Sequence, residues 1–116
     1  MQYMLLIYES EKAFYALSEE DQGKIFEEYG AFTKELDATG KNKGSEALLP
    51  TNTATTIRVR DGKVTRTDGP FAETREQLGG FYLVEAKDME AAIAIARRIP
   101  TAKTGSVEVR EVVVFG

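Results

Sequence analysis

Tyr3-Met4-Leu5-Leu6-Ile7-Tyr8 is an apolar run of strand length without a single charge. Its length and richness suit a strand buried on both faces, central in a sheet. A second run of the same kind, Phe81-Tyr82-Leu83-Val84-Glu85-Ala86, follows Gly79-Gly80 much later in the chain. Each run is followed by a segment with helical marks. After the first, residues 9–17 read as a mixed connection, and Ser18 then stands as an N-cap. Glu19, Glu20 and Asp21 put negative charge at the positive end of the helix dipole. Ile25, Tyr29, Phe32 and Leu36, with Phe26 beside them, form one apolar stripe, and Gly40 is a natural C′ residue. After the second run, Asp88 caps a helix predicted through Ile99, with Met89, Ala92, Ile93, Ala96 and Ile99 as its buried stripe. Pro100 stops its continuation.

The remaining strands are shorter. Residues 45–49 are one candidate, and Pro50-Thr51-Asn52 reads as a turn. Residues 53–60 and 63–67 are rich in β-branched side chains and flank Asp61-Gly62, a strong two-residue hairpin signal. Residues 107–115 supply a last strand. The predicted order is therefore β-α-β-β-β-α-β. Without the hairpin it is the ferredoxin-like β-α-β-β-α-β pattern of an α+β fold. Helices would cover one sheet face. The other, expected to carry Met4 or Leu5, Tyr82 and Val109, would be left apolar and naked. Such a face is buried most simply against a copy of itself, so a homodimer is expected.

A length of 116 residues fits one domain, spanning residues 1–116. There is no cysteine, which excludes thiolate chemistry and Cys-ligated metals. There is no histidine either, so the usual general base near neutral pH is missing, with His metal sites and Ser-His or Cys-His nucleophiles. No metal site and no cofactor is expected. A net charge of −4 argues against nucleic acid as the partner. No apolar run approaches the ~20 residues needed to span a bilayer, so no membrane span is expected. A cytoplasmic setting is the expectation.

The stretch Thr67-Asp68-Gly69-Pro70-Phe71-Ala72-Glu73-Thr74-Arg75-Glu76-Gln77-Leu78-Gly79-Gly80-Phe81-Tyr82 resembles the segment that names the DGPF branch of the YCII-related family. The opening residues 3–8, residues 44–48, 53–58 and 105–110 are similar in the same order. The resemblance implies a ferredoxin-like dimeric α/β barrel. It also implies a site. In YCII-like proteins a first-helix histidine and the aspartate of the D-x-P-F segment face a shared cleft as a proposed catalytic pair. Asp68 stands at the aspartate position, while Tyr29 stands near the histidine's. Some relatives are lyase- or isomerase-like enzymes of aromatic degradation. Branch members are also often encoded beside sigma factors, which suggests a regulatory setting.

Each candidate residue has a functional and a structural reading. Asp68 is a candidate general acid/base, held by Gly69 and Pro70 at the mouth of a cleft near Tyr29; otherwise it is a turn residue bonded to its own backbone. Tyr29 is a candidate ligand contact, or a core tyrosine with its hydroxyl at the edge. Tyr8 and Tyr82 line the same cleft or pack in the core. Arg66 and Arg110 suit a small anionic or aromatic-derived ligand, or else pair with Glu108, Glu111 or Glu73. Gly79-Gly80 lacks the surroundings of a phosphate loop and points to close backbone packing or a bulge. Three functions follow. The first is a small-molecule-binding or regulatory homodimer without strong intrinsic catalysis. The second is a lyase- or isomerase-type enzyme using Asp68, and the third is an interaction partner of a sigma-factor-type regulator.

Overall fold

The structure, a computed structural model, describes residues 1–116. The strands are β1 (Gln2–Glu9), β2 (Asn42–Ala47), β3 (Thr55–Arg60), β4 (Lys63–Asp68), β5 (Gln77–Glu85) and β6 (Ser106–Glu111). The helices are α1 (Glu11–Tyr15), α2 (Glu19–Ala38) and α3 (Met89–Ala96). The main sheet has the order β2-β5-β1-β6, entirely antiparallel, with the two apolar runs at its centre. This is the ferredoxin-like α+β arrangement.

The caps explain where the helices start. Ser18 Oγ accepts from the Asp21 amide at 3.1 Å, and Asp88 Oδ1 from the Ala91 amide at 2.8 Å. Residues 9–17 are not merely a connection. Ser10 Oγ caps α1 by accepting from the Ala13 amide at 3.1 Å. A five-residue helix is too short to show a periodic stripe. α3 ends at Ala96, earlier than predicted; it buries Ala92 and Ala96, and Ile99 is buried just beyond its end. Met89 and Ile93 are exposed, one position round the helix from the face that meets the sheet.

Strand alternation sorts the two sheet faces. Tyr3, Leu5 and Ile7 of β1 are buried under the helices, and the register sets Tyr82 opposite Leu5 and Val84 opposite Tyr3 on the same face. Val109 also pairs with Leu5. Tyr82, Leu5 and Val109 thus belong to the helix-covered face, contrary to the sequence-based assignment. The open face carries Met4, Leu6 and Tyr8 with Phe81 and Leu83, all half-buried. Phe32 and Leu36 of α2 complete the core, with Phe32 meeting Tyr82 edge-to-face at 5.2 Å.

β3 and β4 form a separate two-stranded sheet. Asp61 and Gly62 both take positive φ (53° and 75°), as a two-residue turn matched to strand twist requires. Nearly every hairpin residue is exposed. At the other end of the chain, β6 stops at Glu111, and Val113, Val114 and Phe115, expected in the strand, extend exposed beyond it.

Candidate functional site

A cavity of about 370 Å³ lies between the sheet and the α1–α2 pair. That is within the range of small-molecule sites. Its existence follows from Gly79-Gly80. Pairing sets Gly80 opposite Ile7 on the helix-covered face, and the register then skips a residue, so that Tyr8 meets Leu78. Gly79 is the extra residue of a β-bulge. A Cβ on Gly80 would come within 2.7 Å of the Glu46 carbonyl oxygen. Only glycine lets β2 close up on β5 here, and its missing side chain leaves the floor of the cavity open. Both expectations for the glycine pair, close packing and a bulge, are met.

The walls are mostly apolar. Phe14 of α1 and Phe26 of α2 meet at 5.7 Å between ring centroids, and Tyr15 and Ile25 add to them. Leu48 and Leu49, predicted to lie in β2, leave the sheet after Ala47 and line the cavity.

Three polar groups matter. Glu9 continues the alternation Leu5, Ile7, Glu9, so the last residue of β1 turns its carboxylate toward the helices and into the cavity. No hydrogen bond within the chain engages that carboxylate. Burial, and then the charge of Glu11, push its pKa above the ordinary glutamate range. Tyr29, from the α2 stripe, shares a 2.5 Å hydrogen bond with Thr101 Oγ1. Its pKa is raised by burial foremost, with the nearby Glu9 charge adding, while the Thr101 bond opposes. Glu11 is committed to structure: its two oxygens accept from the Thr51 amide at 2.9 Å and the Thr51 hydroxyl at 3.0 Å, tying α1 to the loop after β2.

The predicted site residues fall in different places. Tyr29 and Tyr82 both line the cavity. The Tyr82 hydroxyl is occupied by Thr33 at 2.6 Å and its ring is core. Tyr8 lies on the open sheet face, one position out of phase with Ile7 and Glu9. Asp68 is exposed, pairs in register with Thr55 at the base of the hairpin, and is not among the residues that line the cavity. Tyr29 lines the cavity and Asp68, exposed on the hairpin, does not, so the cavity does not bring the two together. Arg66 is exposed on β4, and Arg110 is exposed on β6 opposite Met4; neither forms an ion pair or lines the cavity. Glu9 was missed by sequence reasoning. The available signal was a carboxylate in phase with the buried face of a central strand.

No group of three acidic side chains is placed to hold a metal ion. No helix is long and apolar enough to cross a membrane.

Comparison with known proteins agrees with this architecture. The model of the YCII-related domain matches residues 1–116. An uncharacterized protein of Rhizobium meliloti is 36% identical over 117 residues, which cover 99% of this chain and 94% of the relative. Among solved structures, 5-chloro-2-hydroxyhydroquinone dehydrochlorinase from Burkholderia phenoliruptrix, in complex with 2,5-dihydroxybenzoquinone, is similar with a TM-score of 0.57. That match covers 96% of this chain and 92% of the other at 12% identity, a likeness of fold.

Proposed function

Because the chain belongs to the YCII-related domain family, we propose that the cavity beside Glu9 binds a small ring compound and that Glu9 moves a proton on it in a lyase- or isomerase-type reaction. The observation that carries this reading is Glu9 itself: a half-buried carboxylate, free of hydrogen bonds, facing an aromatic cavity. A carboxylate with a raised pKa is better matched to acid–base work near neutral pH than an ordinary one. The Tyr29 phenol, held by Thr101, is a fixed hydrogen-bond donor for an oxygen on the ring. The structurally similar dehydrochlorinase holds a six-membered quinone ring, and a single ring fits the volume available here. In this reading Glu9 takes the acid–base role that the sequence suggested for Asp68.

The absence of histidine and cysteine supports a second reading, in which the same cavity binds a regulatory ligand without turnover. In either reading the protein works as a homodimer joined through the open face bearing Met4, Leu6 and Phe81.

Neutral quinones, hydroquinones and lactones, ranked by thermal shift and then assayed for turnover, separate the two readings. For the enzyme, Glu9→Gln retains binding and loses about 10²–10⁴-fold in rate, the usual size of a general acid–base contribution. Turnover unaffected by Glu9→Gln would remove Glu9 from the chemistry. Binding without turnover in the unaltered protein would favour the regulatory reading.

A further inference from the structure

The charges around the cavity are one-sided. Glu9 and Glu11 line it, and not one lysine or arginine does, in a chain that has 15 of them. The arginines that sequence reasoning offered to an anionic ligand stand elsewhere, Arg66 on the hairpin and Arg110 on the open sheet face.

We propose that the cavity selects an aromatic ring bearing a protonated amine and rejects ring carboxylates. This rests on the reading of the cavity as a small-molecule site and names the charge of what enters it. Glu11 has both oxygens occupied by Thr51, whereas Glu9 has no donor in the chain. An ammonium group supplies Glu9 with both the opposite charge and the missing N–H donors. The rings of Phe14 and Phe26 add cation–π attraction for the same group while packing against the ligand's ring. A carboxylate in that position would meet the like charges of Glu9 and Glu11 and no cationic partner. The Glu11 charge beside Glu9 adds to the negative potential there, which favours an incoming cation. A bare metal ion does not fit, since it needs several converging oxygen ligands and no three acidic side chains converge.

The test compares three probes of similar size, benzylamine, benzyl alcohol and benzoate, titrated into the full chain at neutral pH by calorimetry or ligand-observed NMR. Benzylamine should bind roughly tenfold tighter than benzyl alcohol, the scale expected of a charge-assisted, cation–π contact. Benzoate should bind most weakly. Glu9→Gln should close the gap between amine and alcohol. Benzoate binding as tightly as the amine, an amine no tighter than the alcohol, or a gap that survives Glu9→Gln would each overturn the charge assignment while leaving the cavity as a ring site. Failure of all three probes to bind would overturn the ring-site reading, and this inference with it.

Discussion

Tyr29→Phe removes one oxygen and leaves the ring in place. In the native chain that oxygen shares a 2.5 Å hydrogen bond with Thr101 Oγ1, and Thr101 is only 3% exposed with no other partner for its hydroxyl. The substitution therefore strands a buried hydroxyl, which costs about 1–3 kcal/mol. The reverse change is milder. Thr101→Val leaves the Tyr29 hydroxyl without its partner but facing the cavity, where water can reach it, so about 0.5–1.5 kcal/mol is expected. With both changes no buried hydroxyl is left stranded, and the double variant should be about 1 kcal/mol more stable than the sum of the single losses implies. For a domain of this size each kcal/mol corresponds to a Tm change of roughly 4 °C. The assay is thermal and urea unfolding of the four proteins, followed by circular dichroism. Additivity within about 0.3–0.5 kcal/mol would show that the two hydroxyls are not coupled. The account of Tyr29 as a phenol fixed at the edge of the cavity would then fail.

Two further predictions concern charge and assembly. The raised pKa of Glu9 means that the native state holds this proton more tightly than the unfolded chain does. Stability is therefore lost as pH rises from the ordinary glutamate range through the raised value, and is level above it. Glu9→Gln cannot ionise, so its melting temperature should exceed the unaltered protein's at neutral pH and converge with it at about pH 3.5, below the ordinary glutamate value of about 4.3; the opposite pH trend would contradict the placement of Glu9. Leu6→Glu puts a charge in the open sheet face, and light scattering should show a monomer where the unaltered chain gives a dimer burying at least ~1,500 Å² in total. A monomeric mass for the unaltered chain at micromolar concentration would refute the dimer.

Much of the architecture is local and hence readable. Ser18 and Asp88 cap helices through their own side chains, Asp61-Gly62 sets its own turn, and the runs of β1 and β5 need a sheet interior whatever surrounds them. Face assignment was harder, because it depends on register. Tyr82 faces the helices only because it pairs with Leu5 and not with a neighbour, and a one-residue slip would have turned it outward. Met89 and Ile93 look like core by composition, yet the small Ala92 and Ala96 are what allow α3 to approach the sheet. The site was the least legible. Glu9 reads as the first polar residue after an apolar strand, and the cavity it faces is shared with Phe14, Phe26 and Gly80, which arrive from three separate elements. Asp68 shows the converse. Its motif is conspicuous in the sequence, but the projecting hairpin that carries it can be seen only in three dimensions.

Glu9, as a cavity carboxylate, holds its proton more tightly than an exposed glutamate does. Carbon-detected NMR titration of the Glu9 side chain measures that directly, with Glu11→Gln as the second sample. The midpoint should lie above the ordinary glutamate range in the native protein and lower in Glu11→Gln, since the Glu11 charge is the second cause of the shift after burial. A Glu9 that titrates as an exposed glutamate, at about 4.3 in both proteins, would contradict it.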